Sequence, residues 1–385
     1  MLKTKRIYDL GLIFAGLFFM MVSCGERKII KMFKASDSRF IVNGRTDVLE
    51  DGSIALVGSA SSFETLVLGD SAMVHLHSST DYDYATLVVD GHHLGRFKID
   101  SVTTFSLPIA FHDTTKLEHH LAIFKATEAN SGNLVIRGIL ADSIMAKPDS
   151  QENLKIEFIG NSITCGAAMD DALMPCENDD YKNYHNAYLS YGPTVARALH
   201  ADYLISAVSG FGIYRGWNTE AGETVNTVPE VYGNVYLDGH GQKPHDFSAF
   251  TPDIVSIGLG TNDLSEGDGL KERKPFDASK FVKRYIGFIE SIYSRYPDTQ
   301  IVLMNSPMVS GDKNSILVDC LDKVKTHFDT TEITKSVSSQ KPIVLFSFSR
   351  TYQNGCSTHP NIEDHAKMAE ELLPVYKRLS HALDY

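Results

Sequence analysis

Four residues of this 385-residue chain are of types that together could hydrolyse an ester. Ser162 supplies a hydroxyl that becomes a nucleophile when a base removes its proton, and His359 can be that base and later protonate the leaving alcohol. The backbone N–H groups of Ser162 and Gly210 and the side-chain amide of Asn262 can donate hydrogen bonds to the negative oxygen that develops on the attacked carbonyl. These residues therefore predict a hydrolytic serine with its base and an oxyanion hole.

The four residues occupy equivalent places in the chain, because each follows a predicted strand. Ser162 lies in a turn (GNSIT) directly after the apolar run Lys155–Ile159. Gly210 follows the next predicted strand (in SGFG), Asn262 the third (in GTND), and His359 the last (in GCSTHP). Open α/β folds keep their sites at the carboxyl ends of the strands, so we expect the four residues to meet at one edge of a sheet.

The elements that must position these residues alternate between strand and helix after residue 151. Near-continuous apolar runs predict the strands Ile156–Ile159, Tyr203–Val208, Ile254–Leu259, Ile301–Met304 and Ile343–Phe346. Helical patterns occupy Asn186–Leu199, Lys280–Tyr296, Ser315–Phe328 and Ile362–Leu379. This rhythm predicts an α/β domain over residues 151–385, with a parallel sheet covered by helices on both faces.

Residues 37–146 follow a different pattern, with short alternating runs separated by turn residues. Examples of the predicted strands are Ser53–Val57, Ala72–His77, Tyr84–Val89, Phe105–Phe111, His120–Lys125 and Asn133–Leu140. Strands at this spacing without helices between them are typical of a β-sandwich, and the length of the chain also favours two domains. Residues 147–151 (KPDSQ) are predicted to link the two domains.

The N-terminus has the features of a bacterial export signal. Lys3, Lys5 and Arg6 precede the apolar run Leu10–Val22, which is too short to span a bilayer comfortably. The sequence MVSC that follows resembles a lipobox, so we expect residues 1–23 to be a signal peptide and Cys24 to be lipidated. Residues 24–36 would then tether the protein to the membrane of the cell envelope. The alternative is an ordinary secretory signal in which Cys24 is incidental.

Composition restricts the classes of partner. The net charge is −12 and there is no basic run, which argues against nucleic acid and suits a neutral ligand such as a sugar. No spacing of Cys or His predicts a metal site, and we expect no cofactor. An exported protein can form disulfides, and Cys165 and Cys176 are close enough in sequence to pair. With four cysteines (Cys165, Cys176, Cys320 and Cys356), three connectivities remain open.

Other polar and aromatic residues have two possible roles. Asp263 is expected to accept hydrogen bonds from loop N–H groups, although an ion pair near the site is an alternative. Tyr214 and Trp217 lie just after the segment SGFG (209–212), where an aromatic ring can stack on a sugar or pack in the core. The acidic loop Asp170–Asp180 is expected to be either solvated surface or a wall of the cleft.

The four blocks resemble the SGNH hydrolases, a superfamily named for Ser, Gly, Asn and His in that order. Within it the chain is similar to carbohydrate esterase family 2, in segments that span both domains: FIGNSITCG (158–166), NAYLSYG (186–192), SGFGIYR (209–215), FSAFTPDIVSIGLGTND (247–263) and GCSTHPN (355–361). The resemblance implies a jelly-roll-like β-sandwich followed by a three-layer α/β/α domain. It also implies an esterase that removes acetyl groups from polysaccharides.

The chain departs from the superfamily pattern at two places. Asn161 stands where Asp is usual, a position expected to be structural. SGNH triads usually have an Asp two or three residues before the His, but Ser357 and Cys356 occupy those places here. Some members of the family work with a Ser–His dyad, so the resemblance implies that a backbone carbonyl, that of Thr358, orients His359. Thr358 also replaces an aromatic residue that often precedes the His in this family.

The sequence therefore predicts a lipid-anchored carbohydrate O-acetylesterase that works through an acetyl-serine intermediate. The resemblance suggests xylan- or mannan-type substrates with a preference for primary 6-O acetyl groups. One alternative is an esterase of O-acetylated cell-envelope glycan. Another is a glycan-binding lipoprotein that has lost activity, which the intact set of four residues disfavours.

Overall fold

The computed structural model describes residues 30–100, 105–111, 115–146, 153–176, 180–240, 243–330 and 341–383. The predicted signal peptide, Cys24 and the predicted linker 147–151 lie outside the described residues. In the described residues no helix is both long and apolar enough to cross a membrane.

The N-terminal part of the described chain consists of antiparallel strands. They are β1 (Lys31–Lys34), β2 (Ile41–Asn43), β3 (Thr46–Val48), β4 (Ile54–Leu56), β5 (Ser62–Leu68), β6 (Ser71–Ser78), β7 (Asp83–Val89), β8 (His92–Ile99), β9 (Phe105–Ala110), β10 (Glu118–Lys125), β11 (Leu134–Ala141) and β12 (Ser143–Met145). Within the described residues, one sheet has the order β3-β4-β11-β6-β9 with β1 beside β11. The other has the order β12-β5-β10-β7-β8 with β2 beside β5.

Alternation of side chains explains why these strands form a sandwich. In β6 the residues Ala72, Val74 and Leu76 are buried, whereas the residues between them are only half-buried. The buried side chains pack against those of the other sheet, including Phe63, Leu87 and Ile123, in one apolar core. The predicted β-sandwich is therefore confirmed.

The start of this domain differs from the prediction. Residues 24–36 were expected to be a tether, but β1 (Lys31–Lys34) pairs with β11 and adds a strand to the first sheet. The register aligns Lys31 with Ala141 and Lys34 with Gly138. A four-residue run with a lysine at each end has too little apolar alternation to predict a strand, and its hydrogen bonds come from a partner about a hundred residues away.

The second domain alternates strands and helices as predicted. Its elements are β13 (Lys155–Gly160), α1 (Ser162–Cys165), α2 (Tyr191–Ala198), β14 (Asp202–Ala207), α3 (Val228–Val231), β15 (Ile254–Ile257), α4 (Ala278–Tyr293), β16 (Gln300–Met304), α5 (Gly311–Thr330), β17 (Val344–Phe346) and α6 (Ile362–Ala382). In the described part of the chain the strands form one parallel sheet of order β14-β13-β15-β16-β17.

Helices cover both faces of the parallel sheet. On one face, side chains of α4 and α5 such as Phe281 and Leu317 pack with Ile257 of β15 in an apolar core. On the other face, Val195 of α2 and Tyr376 of α6 belong to a second core. The three-layer α/β/α architecture is thus confirmed. Its parallel strands all end at the same edge, which fixes where a site can form.

Buried polar contacts join the two domains. Arg45 of the β-sandwich is 1% exposed and donates to Ser206 Oγ in β14 and to the carbonyl oxygens of Tyr232 and Asn234. Arg96 Nε lies 2.8 Å from a carboxylate oxygen of Asp170 in the second domain. Because a buried charge is costly without partners, these contacts restrict how the two domains can dock.

Candidate active site

The turn that carries Ser162 is fixed by its neighbours. β13 ends at Gly160, where a Cβ atom would lie 2.0 Å from Thr164 Oγ1, so no larger residue fits. Asn161 caps α1, because its side-chain oxygen accepts a hydrogen bond from the Ile163 N–H at 3.2 Å. This agrees with the structural role expected for Asn161. Ser162, the first residue of α1, is thereby held at the carboxyl edge of the sheet.

Ser162 and His359, which are 197 residues apart in the sequence, form a hydrogen bond. His359 Nε2 lies 2.9 Å from Ser162 Oγ, and its Nδ1 lies 3.1 Å from the Ser357 carbonyl oxygen. Burial lowers the pKa of His359 below its ordinary value, and the hydrogen bond to Ser357 opposes this shift only in part. A neutral imidazole whose Nδ1–H donates to Ser357 has an unprotonated Nε2, which can accept the Ser162 proton.

The carbonyl that holds His359 is not the predicted one. We expected Thr358 to accept from Nδ1–H, but the acceptor is Ser357. The reason is local: Ser357 and Thr358 have left-handed backbone conformations, with φ values of 51° and 58°, within a tight 3₁₀ turn. This turn brings the Ser357 carbonyl back to the imidazole ring.

The loop that carries His359 is attached to the loop that follows Ser162. Cys356 forms a disulfide with Cys176, and its N–H donates to the Ala168 carbonyl at 2.9 Å. Cys165 and Cys320 are buried and unpaired, so the pairing of Cys165 with Cys176 that their proximity allowed does not occur. The disulfide therefore connects the histidine loop to the acidic loop.

The predicted oxyanion donors line the same cavity as Ser162. This cavity has a volume of about 710 Å³ and is lined by Ser162, Gly210, Asn262 and His359, among others. Gly210 has a φ of +79°, a conformation that favours glycine. The Asn262 amide donates to the Phe211 carbonyl at 2.8 Å, and its second N–H remains for a ligand. The four predicted residues are thus brought together.

Asp263 holds the loop that follows Gly210. Its buried carboxylate accepts hydrogen bonds from the N–H groups of Ile213, Tyr214 and Arg215, at distances of 2.9 to 3.3 Å. Burial raises the pKa of Asp263 to about 6, although these backbone hydrogen bonds act in the opposite direction. Asp263 is therefore an acceptor for loop N–H groups, as expected, and it holds the segment that follows the Gly210 block.

The two aromatic candidates for sugar binding have different environments. Trp217 lines the cavity and is 46% exposed. Tyr214 is only 5% exposed, packs in the core beside Phe281, and its hydroxyl accepts from the Asp277 N–H at 3.1 Å. Trp217 is therefore available to a ligand, whereas the substrate-binding role predicted for Tyr214 is wrong.

One cavity residue was not predicted. Tyr181 follows the acidic loop, and its hydroxyl oxygen lies 3.1 Å from His359 Nε2. Burial raises the pKa of Tyr181, so the phenol is neutral near pH 7. No pattern in the sequence marks this residue, because it follows a loop instead of a predicted strand. Nor, within the described part of the chain, do His, Cys, Asp and Glu form a group of three placed to hold a metal ion.

Comparison with known proteins identifies both domains. A family model described as Carbohydrate esterase 2 N-terminal matches residues 42–148, and one described as GDSL-like Lipase/Acylhydrolase family matches residues 158–337. A Cellvibrio japonicus protein named acetylxylan esterase / glucomannan deacetylase is 25% identical over 374 residues, which cover 96% of this chain and 97% of that protein.

Solved structures agree with these matches. A family two carbohydrate esterase from Clostridium thermocellum, in complex with cellohexaose, is 26% identical with a TM-score of 0.75, covering 88% of this chain and 98% of that chain. One from Cellvibrio japonicus shares the fold, with a TM-score of 0.77, 24% identity and coverage of 92% and 99%. With its two matched domains in this order and a serine–histidine pair at the sheet edge, the chain belongs to carbohydrate esterase family 2 and is an ester hydrolase.

Proposed function

We propose that this protein is a carbohydrate O-acetylesterase that removes acetyl groups from xylan- or mannan-type polysaccharides. The observation that carries the proposal is the 2.9 Å contact of Ser162 Oγ with His359 Nε2 in a cavity that also presents Gly210 and Asn262. The substrate class is supported by the name of a relative that matches nearly the whole chain, acetylxylan esterase / glucomannan deacetylase.

The first half of the reaction transfers the acetyl group to the protein. Ser162 Oγ attacks the acetyl carbonyl carbon while His359 Nε2 takes the hydroxyl proton. The negative oxygen of the tetrahedral intermediate accepts hydrogen bonds from the N–H groups of Ser162 and Gly210 and from the Asn262 amide. The bond to the sugar oxygen then breaks, and His359 returns its proton to that oxygen. The products are a free sugar hydroxyl and acetyl-Ser162.

The second half of the reaction releases acetate. It uses the same residues, but water is now the nucleophile and Ser162 Oγ is the leaving group. A water molecule attacks the carbonyl carbon of acetyl-Ser162 and gives a proton to His359 Nε2. The tetrahedral intermediate again places its negative oxygen among the three donors. When the bond to Ser162 Oγ breaks, that oxygen takes the proton back from His359. One water is consumed, and acetic acid leaves as acetate and a proton at neutral pH.

The base works as part of a dyad in this proposal. In the described residues, the His359 ring nitrogens contact the Ser357 carbonyl, Ser162 Oγ and Tyr181 Oη, and none of these partners is a carboxylate. A carbonyl fixes the tautomer and the ring orientation as an Asp would, but it supplies less stabilisation for the imidazolium. The dyad therefore relies on the three oxyanion donors for much of the rate.

The depth of the nucleophile supports a preference for 6-O acetyl groups. Ser162 is only 7% exposed, so the ester must enter the cavity while the polysaccharide chain stays outside. An acetyl group on a primary 6-hydroxyl extends from the sugar ring on one additional carbon and can enter most easily. The exposed Trp217 ring at the cavity offers a flat apolar face for a pyranose.

Acetate release from a panel of substrates tests the proposed function. Purified protein should release acetate from acetylated xylan and acetylated glucomannan, and NMR of the glucomannan should show the 6-O acetyl signal falling first. Release from O-acetylated peptidoglycan alone would favour the envelope-glycan alternative. Binding of these glycans with no acetate release from any of them would favour the inactive glycan-binding alternative.

Asn262→Ala should lower kcat by roughly 10²- to 10³-fold, because one of three oxyanion donors is removed, with a smaller effect on KM. The measurement is steady-state kinetics with 4-nitrophenyl acetate. Asn218→Ala is the matched control, since Asn218 bonds to Asp268 and lies outside the cavity lining. A raised KM with kcat unchanged would show that Asn262 binds substrate instead.

The proposed location is the bacterial cell envelope, where acyl chains on Cys24 would hold the protein to a membrane. Cys24→Ala should release the protein from the membrane fraction into the soluble fraction or the medium. One acyl chain gives only marginal anchoring, and a lipobox cysteine normally carries more than one. Immunoblots of the two fractions, with Cys320→Ala as a control at a cysteine inside α5, measure this. Unchanged fractionation of Cys24→Ala would mean that Cys24 is not the anchor.

A further inference from the structure

A buried carboxylate of the β-sandwich reaches the active-site edge of the hydrolase domain. Glu128 lies after β10 and is 3% exposed. It precedes a short 3₁₀ helix, Ala129–Ser131, but its side chain makes no capping hydrogen bond to that helix. Instead its Oε2 accepts from the Ser209 N–H at 2.7 Å and from Cys165 Sγ at 3.5 Å. These hydrogen bonds of the carboxylate therefore cross the domain boundary.

The hydrogen bond to Ser209 lies next to an oxyanion donor. The N–H of Gly210 belongs to the peptide group between Ser209 and Gly210. On one side of this peptide group, the Ser209 N–H is held by Glu128 Oε2. On the other side, the Gly210 carbonyl oxygen accepts a hydrogen bond from the Trp217 N–H at 2.7 Å. Gly210 is a glycine at positive φ and its backbone is therefore free to rotate. The direction of its N–H depends on the hydrogen bonds that hold the Ser209 N–H before it and the Gly210 carbonyl after it.

The other carboxylate oxygen of Glu128 supports a second part of the site. Oε1 lies 3.2 Å from His185 Nε2, and His185 Nδ1 lies 3.0 Å from the Tyr181 carbonyl oxygen. The Tyr181 ring stands edge-on to His185, with ring centroids 4.8 Å apart, and its hydroxyl contacts His359 Nε2. The Glu128 carboxylate thus contacts the segment that carries Gly210 directly, and it contacts Tyr181, which lies beside His359, through His185.

The contacts of Glu128 favour its ionised form. Burial acts to raise its pKa, but the hydrogen bonds from His185 and Ser209 outweigh burial and leave the pKa below the ordinary value. A buried carboxylate is costly and persists only where its partners compensate. Two of its partners, Ser209 and His185, belong to segments that form the active site.

We propose that Glu128 is a positioning residue of the oxyanion hole, through which the β-sandwich domain holds the Gly210 N–H in its productive direction. The β-sandwich then completes the catalytic site of the hydrolase domain and is not only a neighbouring module. This inference rests on the proposed esterase mechanism, because it assigns Glu128 a role in stabilising that oxyanion.

The test compares three substitutions at position 128 in the purified protein, with 4-nitrophenyl acetate as substrate and a serine-reactive fluorophosphonate to count active sites. Glu128→Ala should lower kcat per active site by about 10- to 100-fold with KM nearly unchanged, since a displaced donor weakens the transition state and not substrate binding. Glu128→Asp keeps the charge but withdraws the carboxylate by one carbon, so it should lose a similar factor. Glu128→Gln keeps an oxygen that can accept from Ser209, so it should recover much of the loss.

The control is another interdomain carboxylate that lies away from the cavity. Asp47 accepts a hydrogen bond from Tyr236 Oη at 2.6 Å and pairs with Lys243, so Asp47→Asn should lower thermal stability and leave kcat unchanged. Wild-type kcat per active site in Glu128→Ala, or an equal loss in Asp47→Asn, would overturn the proposal. If Glu128→Ala does not fold, Glu128→Asp decides by the same criterion.

The activities of the wild-type protein and of Ser162→Ala test the esterase function independently of Glu128. If the wild-type protein hydrolyses acetyl esters and Ser162→Ala does not, the function stands whatever Glu128 does. A wild-type protein without esterase activity would instead contradict the mechanism on which the role of Glu128 rests.

Discussion

Ser162→Ala should abolish ester hydrolysis, with kcat falling by roughly 10⁵- to 10⁶-fold to the level of the background reaction. The substitution removes the only atom that forms a covalent bond with the acetyl group in the proposed mechanism. The fold should be unaffected, because the Oγ atom is hydrogen-bonded to a side chain of the same cavity, His359, and its loss leaves a side chain of almost the same size. Acetate release and a thermal melting curve measure the two properties.

A second serine in the cavity controls for loss of any hydroxyl there. Ser310 also lines the cavity but is exposed and has no role in the mechanism, so Ser310→Ala should retain wild-type kcat. More than a trace of activity in Ser162→Ala at wild-type stability would exclude Ser162 as the nucleophile.

His359→Ala should cost about as much as Ser162→Ala, whereas removal of any one nearby carboxylate should cost less than about 10²-fold. The difference follows from the proposed dyad, in which the Ser357 carbonyl, and not an acid, accepts from Nδ1–H. Asp263→Asn is the informative acid variant, since Asp263 holds loop N–H groups close to the site. Ser357→Ala keeps the carbonyl and should remain active. A normally folded acid variant as inactive as His359→Ala would reveal a third catalytic member and contradict the dyad.

The same dyad predicts the pH profile. Only neutral His359 can accept the Ser162 proton, and burial places its pKa below the ordinary value of 6.5. The value of kcat/KM should therefore rise with pH along a limb below 6.5 and reach its plateau near neutrality. Asp263, whose pKa is raised to about 6, titrates in a neighbouring range. Persistence of the limb in Asp263→Asn would assign it to His359, and its disappearance would assign it to the carboxylate.

The parts of the fold that sequence could predict are those with strong local patterns. The five strands of the parallel sheet are near-continuous apolar runs, and each is present at its predicted place within a few residues. Ser162, Gly210, Asn262 and His359 could be found because the parallel topology brings the ends of distant strands to one edge. Here local sequence and global architecture give the same answer.

The parts that sequence could not predict depend on contacts between distant segments. In the β-sandwich, β5 and β8 lack a clear alternating pattern, because β5 carries Glu64 and Thr65 within its apolar run and β8 is interrupted by Gly95 and Arg96. Both form where neighbouring strands supply backbone partners, β10 for β5 and β7 for β8. Strand formation there is decided by tertiary pairing more than by the segment itself.

In the active site, too, the details that the sequence could not predict depend on backbone conformation and on contacts between distant residues. The choice of the Ser357 carbonyl over that of Thr358 depends on two left-handed residues, and neither is a glycine that would mark the turn. The disulfide joins cysteines 180 positions apart, and proximity in sequence favoured a different pair. Glu128 lies in another domain from Ser209, so no spacing rule connects them.

A partition experiment tests the central claim, a common acetyl-Ser162 intermediate, most directly. Hydrolysis is followed in the presence of methanol with three acetyl donors of different leaving groups: 4-nitrophenyl acetate, phenyl acetate and a 6-O-acetylated glucoside. Since water and methanol would compete for the same acetyl-Ser162, the ratio of methyl acetate to acetate should be identical for all three donors although their rates differ. A ratio that changes with the leaving group would mean that water attacks the substrate directly, and would contradict the account.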